Sequence, residues 1–386
     1  MRNLHLDALR GYCLLVMTID HLKIYGLCRI TTGTFGIFDA ADGFVFISGV
    51  VAGSYYSWLA ETSGGTAMMN RAWRRARDIY LTYLVLFALT RGGPMLLLLH
   101  GQGWIHPYHF WVAAPRSIRM LRLAAPWFAP PAGLDILPFY ALSLLAVPLL
   151  IHAWRARKMG LALSLSGGLW LLGQPGVLVS RTLAYWVNWD PCNPFAWQFL
   201  FVCGLTLGCL PRSQARGDWF YSIRTWAVVI PLFSLFLLWR HQRFILGAGT
   251  YDFTRHLNPW WRAKPTLGPL RMVDFALFAC LMAQVLKRYG SWLEDTLVHR
   301  YLRFLGQHSL QVFAGSVLVC YFLHITFYQF GLLRSGGAQI ALSLAGVGSL
   351  CIPAYLHLLY RNRFRGGHAA PLRAELKPLS FFSDSL

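Results

Sequence analysis

The chain has 386 residues, of which 56% are hydrophobic and only 13% charged, with a mean hydropathy of +0.45. Apolar runs of about 20 residues recur along nearly its whole length, which excludes a string of soluble domains and points to an all-α, polytopic membrane protein. The formal net charge of +20 fits Lys and Arg gathered on loops beside anionic membrane lipid; no nucleic-acid partner is expected.

Ten spans are predicted, near residues 8–27, 38–60, 78–99, 133–153, 159–180, 193–210, 223–240, 268–287, 304–328 and 337–360. Residues 1–360 then form one transmembrane domain, and 361–386 a basic cytoplasmic tail. The start MRNLH runs straight into the first span with no small-residue cleavage site, so that span is expected to stay uncleaved. Arg71, Arg74, Arg75 and Arg77 precede span three, and Arg212, Arg216 and Arg224 precede span seven. Lys287, Arg288, Arg300 and Arg303 separate spans eight and nine, and Arg361, Arg363 and Arg365 follow span ten. With ten spans all of these share one side, which the positive-inside rule makes cytoplasmic together with both termini. Arg116, Arg119, Arg122 and Lys264 fall on the other side.

The first span, DALRGYCLLVMTIDHL, carries Asp7 and Arg10 near its start and Asp20 and His21 near its end. At roughly 100° per residue, Arg10 and His21 lie on one helix face, about 16 Å apart along the axis. Ionisable groups inside a span face the bundle interior or a wet cavity and mark function by default. Arg10 also reads as a snorkelling anchor, and His21 as interhelical hydrogen bonding. Asp20 lies about 100° round from His21 and reaches a neighbouring helix more readily than the imidazole.

Span two, ADGFVFISGVVAG, brings Asp42 to a depth like that of His21, where a carboxylate can fix a histidine's tautomer and raise its basicity. Its Gly49 and Gly53 form a G-x-x-x-G that admits a close helix neighbour. A short basic turn with Arg155, Arg157 and Lys158 separates spans four and five. Polar groups recur at the outer ends of three more spans: Asp135 in DILPFY, Asn193 and Gln198 in NPFAWQFLF, and Arg271 and Asp274 in KPTLGPLRMVDF. From the inner side span nine adds His308 and Gln311 in LGQHSLQVF. Each unpaired charge at a helix centre costs at least ~2.5 kcal/mol, so a polar cavity open to the outside is the economical arrangement.

The outer connections around 100–132 and 241–267 are rich in Trp, Tyr, His and Pro. Such surfaces suit the membrane interface and also stacking on sugar rings. The eight cysteines include no C-x-x-C pair and read as apolar packing. His106 and His109 form an H-x-x-H with no third ligand near in sequence, and no metal site is expected. There is no P-loop, no G-x-G-x-x-G, no G-x-S-x-G and no H-x-x-x-x-D, which argues against a nucleotide-driven pump, a serine hydrolase or a glycerolipid acyltransferase.

DALRGYCLLVMTIDHL, ADGFVFISGVVAG, DILPFY, NPFAWQ, LGPLR and LGQHSLQVF, in this order, resemble the OpgC family of inner-membrane proteins associated with succinylation of osmoregulated periplasmic glucans. The spacing of Arg10 and His21 also resembles the first-helix signature of the wider acyltransferase-3 superfamily. One departure is Asp42, where relatives tend to carry Glu.

The resemblance implies acyl transfer from a cytoplasmic acyl-CoA, succinyl-CoA in this family, to hydroxyls of a periplasmic glucan or other carbohydrate. The acyl-CoA is a co-substrate, and no tightly bound cofactor is implied. His21 is then the general base, oriented by Asp20 or Asp42. Arg10, the cluster Arg71, Arg74, Arg75 and Arg77, His308 and Gln311 face the donor. Asp135, Asn193, Gln198, Lys264, Arg271 and Asp274 face the acceptor or acyl group, with Lys264 or Arg271 holding an acyl carboxylate or the oxyanion. Covalent acyl-histidine and direct transfer both stay open, as does the oligomeric state, a homodimer included. A glucan transporter or export component without catalysis is the competing class.

Overall fold

A computed structural model describes residues 3–22, 31, 36–92, 133–174, 192–210, 223–245, 259–329 and 336–365. The H-x-x-H motif, most of both outer connections, Arg212, Arg216 and the tail beyond Arg365 lie outside the described residues, as do the predicted ends of spans one, three and five. The described residues form helices without strands: α1 Leu4–Leu22, α2 Ala40–Ser63, α3 Gly65–Phe87, α4 Ile136–Arg155, α5 Met159–Leu172, α6 Pro194–Cys209, α7 Ile223–Ile245, α8 Pro269–Glu294, α9 Leu297–Gln307, α10 Ser309–Gln329, α11 Gly336–Gly348 and α12 Cys351–Arg365. Among these residues four helices are long and apolar enough to cross a membrane: α2, α4, α8 and the α11–α12 stretch Gly336–Arg363. Apolar stretches in α5, α6, α7 and α10 are shorter. Leu149, Leu161, Leu165, Val228 and Leu235 are exposed on the outside, as a lipid-facing surface requires and a water-facing one avoids.

Two glycine seams set the centre. Gly49 and Gly53 of α2 meet Gly204 and Gly208 of α6, and a methyl on any of the four would collide with a carbonyl oxygen of the opposite helix. The G-x-x-x-G spacing of α2 thus serves as predicted, with a matching pair on α6. Ser54 Oγ adds a bond to the Gly208 carbonyl at 2.9 Å. Gly11 of α1 and Gly306 of α9 make a second close crossing.

The structure differs from the sequence expectation at three junctions. The arginines Arg71–Arg77 do not sit in a loop before span three; they lie in the first turns of α3, which begins directly after Gly64. Met68, Ala72, Ala76, Ile79, Tyr83 and Leu86 bury one continuous face of that helix, so an amphipathic period carries it past its polar half. Span nine is broken at His308, which ends α9. Span ten breaks at Ser349–Leu350: Pro353 has no N–H to give, and Ile352 N closes on Ser349 O at 2.9 Å instead.

Candidate active site

The site builds up from the start of α2. Asp39 caps the helix, accepting from Ala41 N at 3.0 Å, while Asp42 Oδ2 accepts from Asp39 N at 2.8 Å. This reciprocal capping box satisfies donors that a helix start leaves open. Both carboxylates also meet α8. Arg271 Nη2 lies 2.6 Å from Asp42 Oδ2 and 2.9 Å from Asp39 Oδ2, and Nε donates to Asp42 Oδ1 at 3.3 Å. Arg271 Nη1 donates to the Ile37 carbonyl at 2.6 Å. Asp274 accepts from Ile37 N at 2.6 Å, and a side chain on Gly36 would overlap its carboxylate.

Lys264 Nζ lies 2.7 Å from the same Asp39 Oδ2 that meets Arg271. Its loop is fixed by indole donors, Trp197 Nε1 to Lys264 O at 3.2 Å and Trp170 Nε1 to Leu267 O at 3.1 Å. Burial opposes the charge on Asp39, but Lys264 and Arg271 outweigh it and hold the carboxyl below the usual carboxylate range. Burial likewise opposes the charge on Lys264, and Asp39 outweighs it and holds the ammonium above its ordinary value. The guanidinium of Arg271 is largely spent on Asp39, Asp42 and Ile37. Lys264 differs: its side chain is 35% exposed, and Asp39 occupies one of three ammonium donors.

His21 stands exposed in the last turn of α1, with its Nδ1 against the Met17 carbonyl. A carbonyl can only accept, so Nδ1 carries a proton, and in the neutral ring the lone pair is then on Nε2. The ring is therefore oriented by its own helix, and Asp42 is engaged with Arg271 instead. Asp20 accepts from Thr31 Oγ1 at 2.6 Å and interacts electrostatically with His21, Asp39 and Lys264. Across from His21 is the turn that opens α4. A methyl on Gly133 would lie 3.6 Å from His21 Nε2, an ordinary contact, and it is the φ of 85° that favours glycine there. Asp135 Oδ1 fixes this turn by accepting from Gly133 N at 3.1 Å.

Beside Asp135 lies Cys192, a residue the sequence did not single out. Burial, with the Asp135 charge next, pushes its thiol well above the ordinary value, so it stays protonated and a poor nucleophile. Asn193 caps α6 by accepting from Phe195 N at 3.0 Å. Gln198 is one turn deeper and ties α6 to α5, accepting from Ser166 Oγ at 2.6 Å and donating to Ser166 O at 2.8 Å. His21, Asp20, Asp42, Asp135, Lys264, Arg271 and Asp274 thus gather at one end of the bundle. Asp39 belongs with them and was missed, although an Asp three residues before another acid at the head of an apolar run is a capping signal.

The other ionisable stretch of α1 leads inward. Arg10 is buried, donates to Ser309 Oγ at 2.6 Å and lies 5.7 Å from the Phe44 ring centroid. It lines a narrow cleft with Phe44 and Arg75, with Ile136, Leu137 and Tyr140 of α4, and with Ser309, Leu310 and Phe313 of α10. Ile136 follows Asp135 directly, so the α4 wall of the cleft starts one residue after the turn that faces His21; His21 itself is not in the lining. Arg75 alone of the α3 arginines lines it. Arg71, Arg74 and Arg77 are exposed, with Arg74 bonded to Asn70 O at 3.2 Å and Arg77 to Asp78 at 3.2 Å. Gln311 is half-buried on α10, and His308 pairs with His357. Among the described residues no group of three or more His, Cys, Asp or Glu could hold a metal ion.

A family model described as OpgC protein matches residues 2–362. The chain belongs to the OpgC family. Membership in it points to a glucan-modifying acyltransferase in general terms. Neither a curated protein nor a solved structure matches the chain.

Proposed function

We propose that this OpgC-family protein transfers an acyl group, succinyl from succinyl-CoA, across the inner membrane to a hydroxyl of a periplasmic glucan. In this reading the chain crosses the membrane ten times with both termini in the cytoplasm. The acyl-CoA approaches from the cytoplasmic side near Arg10 and Arg75, and its thioester enters the narrow cleft. The glucan hydroxyl arrives at the opposite end.

The observation that carries the reading is the tautomer of His21. With Nδ1–H committed to the Met17 carbonyl, Nε2 is the basic nitrogen of the neutral ring and lies beside Gly133 of the α4 turn. It takes the hydroxyl proton as the hydroxyl oxygen bonds to the thioester carbonyl carbon. Collapse of the tetrahedral intermediate breaks the carbon–sulfur bond, and the thiolate leaves with that proton as the free thiol. Lys264 supplies the positive charge for the oxyanion or a terminal acyl carboxylate, because Arg271 is spent on Asp39 and Asp42. Direct transfer needs no further nucleophile, and the protonated Cys192 supplies none.

The test is purified protein with radiolabelled succinyl-CoA and an oligosaccharide acceptor. Acceptor-dependent thiol release is expected, and His21→Ala should lower it by about 10²–10⁴-fold at an unchanged melting temperature. Full activity in His21→Ala would overturn the mechanism. No thiol release from the wild type with any acyl-CoA would favour a transport role instead.

A further inference from the structure

We infer that His357, on the last helix, is a positioning residue for the donor side of the cleft; the inference rests on the acyl-transfer reading above. The imidazoles of His308 and His357 meet Nδ1 to Nδ1 at 2.8 Å. Such a pair needs one ring to donate and the other to accept, so each fixes the other's tautomer and orientation. His308 is buried, with its ring edge-on to Phe304 at 5.2 Å between centroids. A polar ring placed there without a partner would carry the full cost of desolvation.

The place of this pair gives it a task. His308 is the break between α9 and α10, with its N–H on Leu305 O at 3.1 Å and its carbonyl accepting from Val312 N at 3.0 Å. The next residue is Ser309, whose hydroxyl receives Arg10 Nη2 and lines the cleft. A rotation of the break would therefore carry Ser309 away from Arg10. The α12 helix is well placed to prevent it: its Pro353 packs so closely on Gly315 of α10 that a methyl on the glycine would collide, and Ala354 is fully buried. His357 follows Pro353 by about one turn on the same helix. The chain of contacts runs from His357 through His308 and Ser309 to Arg10, the buried cation of the donor cleft.

The test uses the full chain in the transfer assay, with donor and acceptor KM measured separately. His357→Ala should raise the KM for succinyl-CoA about 5- to 10-fold, the size of one neutral hydrogen bond, with acceptor KM and melting temperature held. His357→Asn, whose amide nitrogen can stand where Nδ1 stood, should restore the donor KM. Ser309→Ala should reproduce the rise without touching the histidine pair, and it decides the matter alone if His357→Ala fails to fold. A donor KM unchanged in Ser309→Ala or in a folded His357→Ala, or an equal rise in acceptor KM, would overturn the inference while leaving acyl transfer intact. A wild type that transfers nothing would remove the functional reading and this inference with it.

Discussion

At Arg271 one guanidinium holds two carboxylates and a backbone carbonyl, and all of these partners lie at the start of α2. Removing a buried partner strands the others, so Arg271→Met should cost about 3–5 kcal/mol, measured by denaturation in detergent, well before any effect on chemistry is considered. Asp39 and Lys264 give a pH signature. The folded-state pKa of Asp39 is depressed, so its contribution is present above the ordinary carboxylate value and is lost as pH falls through the lowered one. That of Lys264 is raised, so its contribution is present below the ordinary lysine value and is lost only as pH rises through the raised one. The stability difference between wild type and Asp39→Asn should therefore stay flat from about pH 5 to 9 and shrink below about pH 4. Thermal melts across that range would read it. The sequence made Asp42, Arg271 and Asp274 legible because charge stands out in an apolar run. It could not pair them, since the Asp42–Arg271 contact joins positions 229 apart and no local period spans that distance. His357 escaped notice for a similar reason: near the end of a span a histidine reads as an interface residue until its partner is known.

Among the helices, apolar length proved easier to read than where a helix starts. Spans two and four emerged close to their predicted bounds and span eight ran on to Glu294, whereas α3 began well before its apolar run because its polar half is as helical as the rest. The α9–α10 break was illegible, since nothing in LGQHSLQVF interrupts the pattern. The α2–α6 seam offers a sharp check. Gly204→Val puts a branched side chain against the Phe46 carbonyl and should destabilise the fold by ~3 kcal/mol, seen as a lower melting temperature and poor yield. The basic turn after α4 predicts the opposite sign. Arg157 holds a φ of 57°, a left-handed conformation that glycine adopts without strain. Arg157→Gly should therefore stabilise by about 1 kcal/mol, reported by the same melts.

For the whole molecule, composition carried the fold class, and the outward-facing leucines of α4, α5 and α7 agree with it. The proposed orientation has its own test: a reporter fused after Leu386 should be active on the cytoplasmic side, and a periplasmic result would overturn that orientation. The site was legible as an end of the bundle where polar residues collect, and not as a set of bonds. Its two walls also differ mechanically. One wall is bolted: a single carboxylate, Asp42, closes the cap of α2 and anchors α8 at once. The entries of those two helices must move as one piece. In the acyl-transfer reading proposed above, room for the acceptor is then made on the opposite wall, where His21 meets the α4 turn, and its admission and the alignment of the base become a single movement.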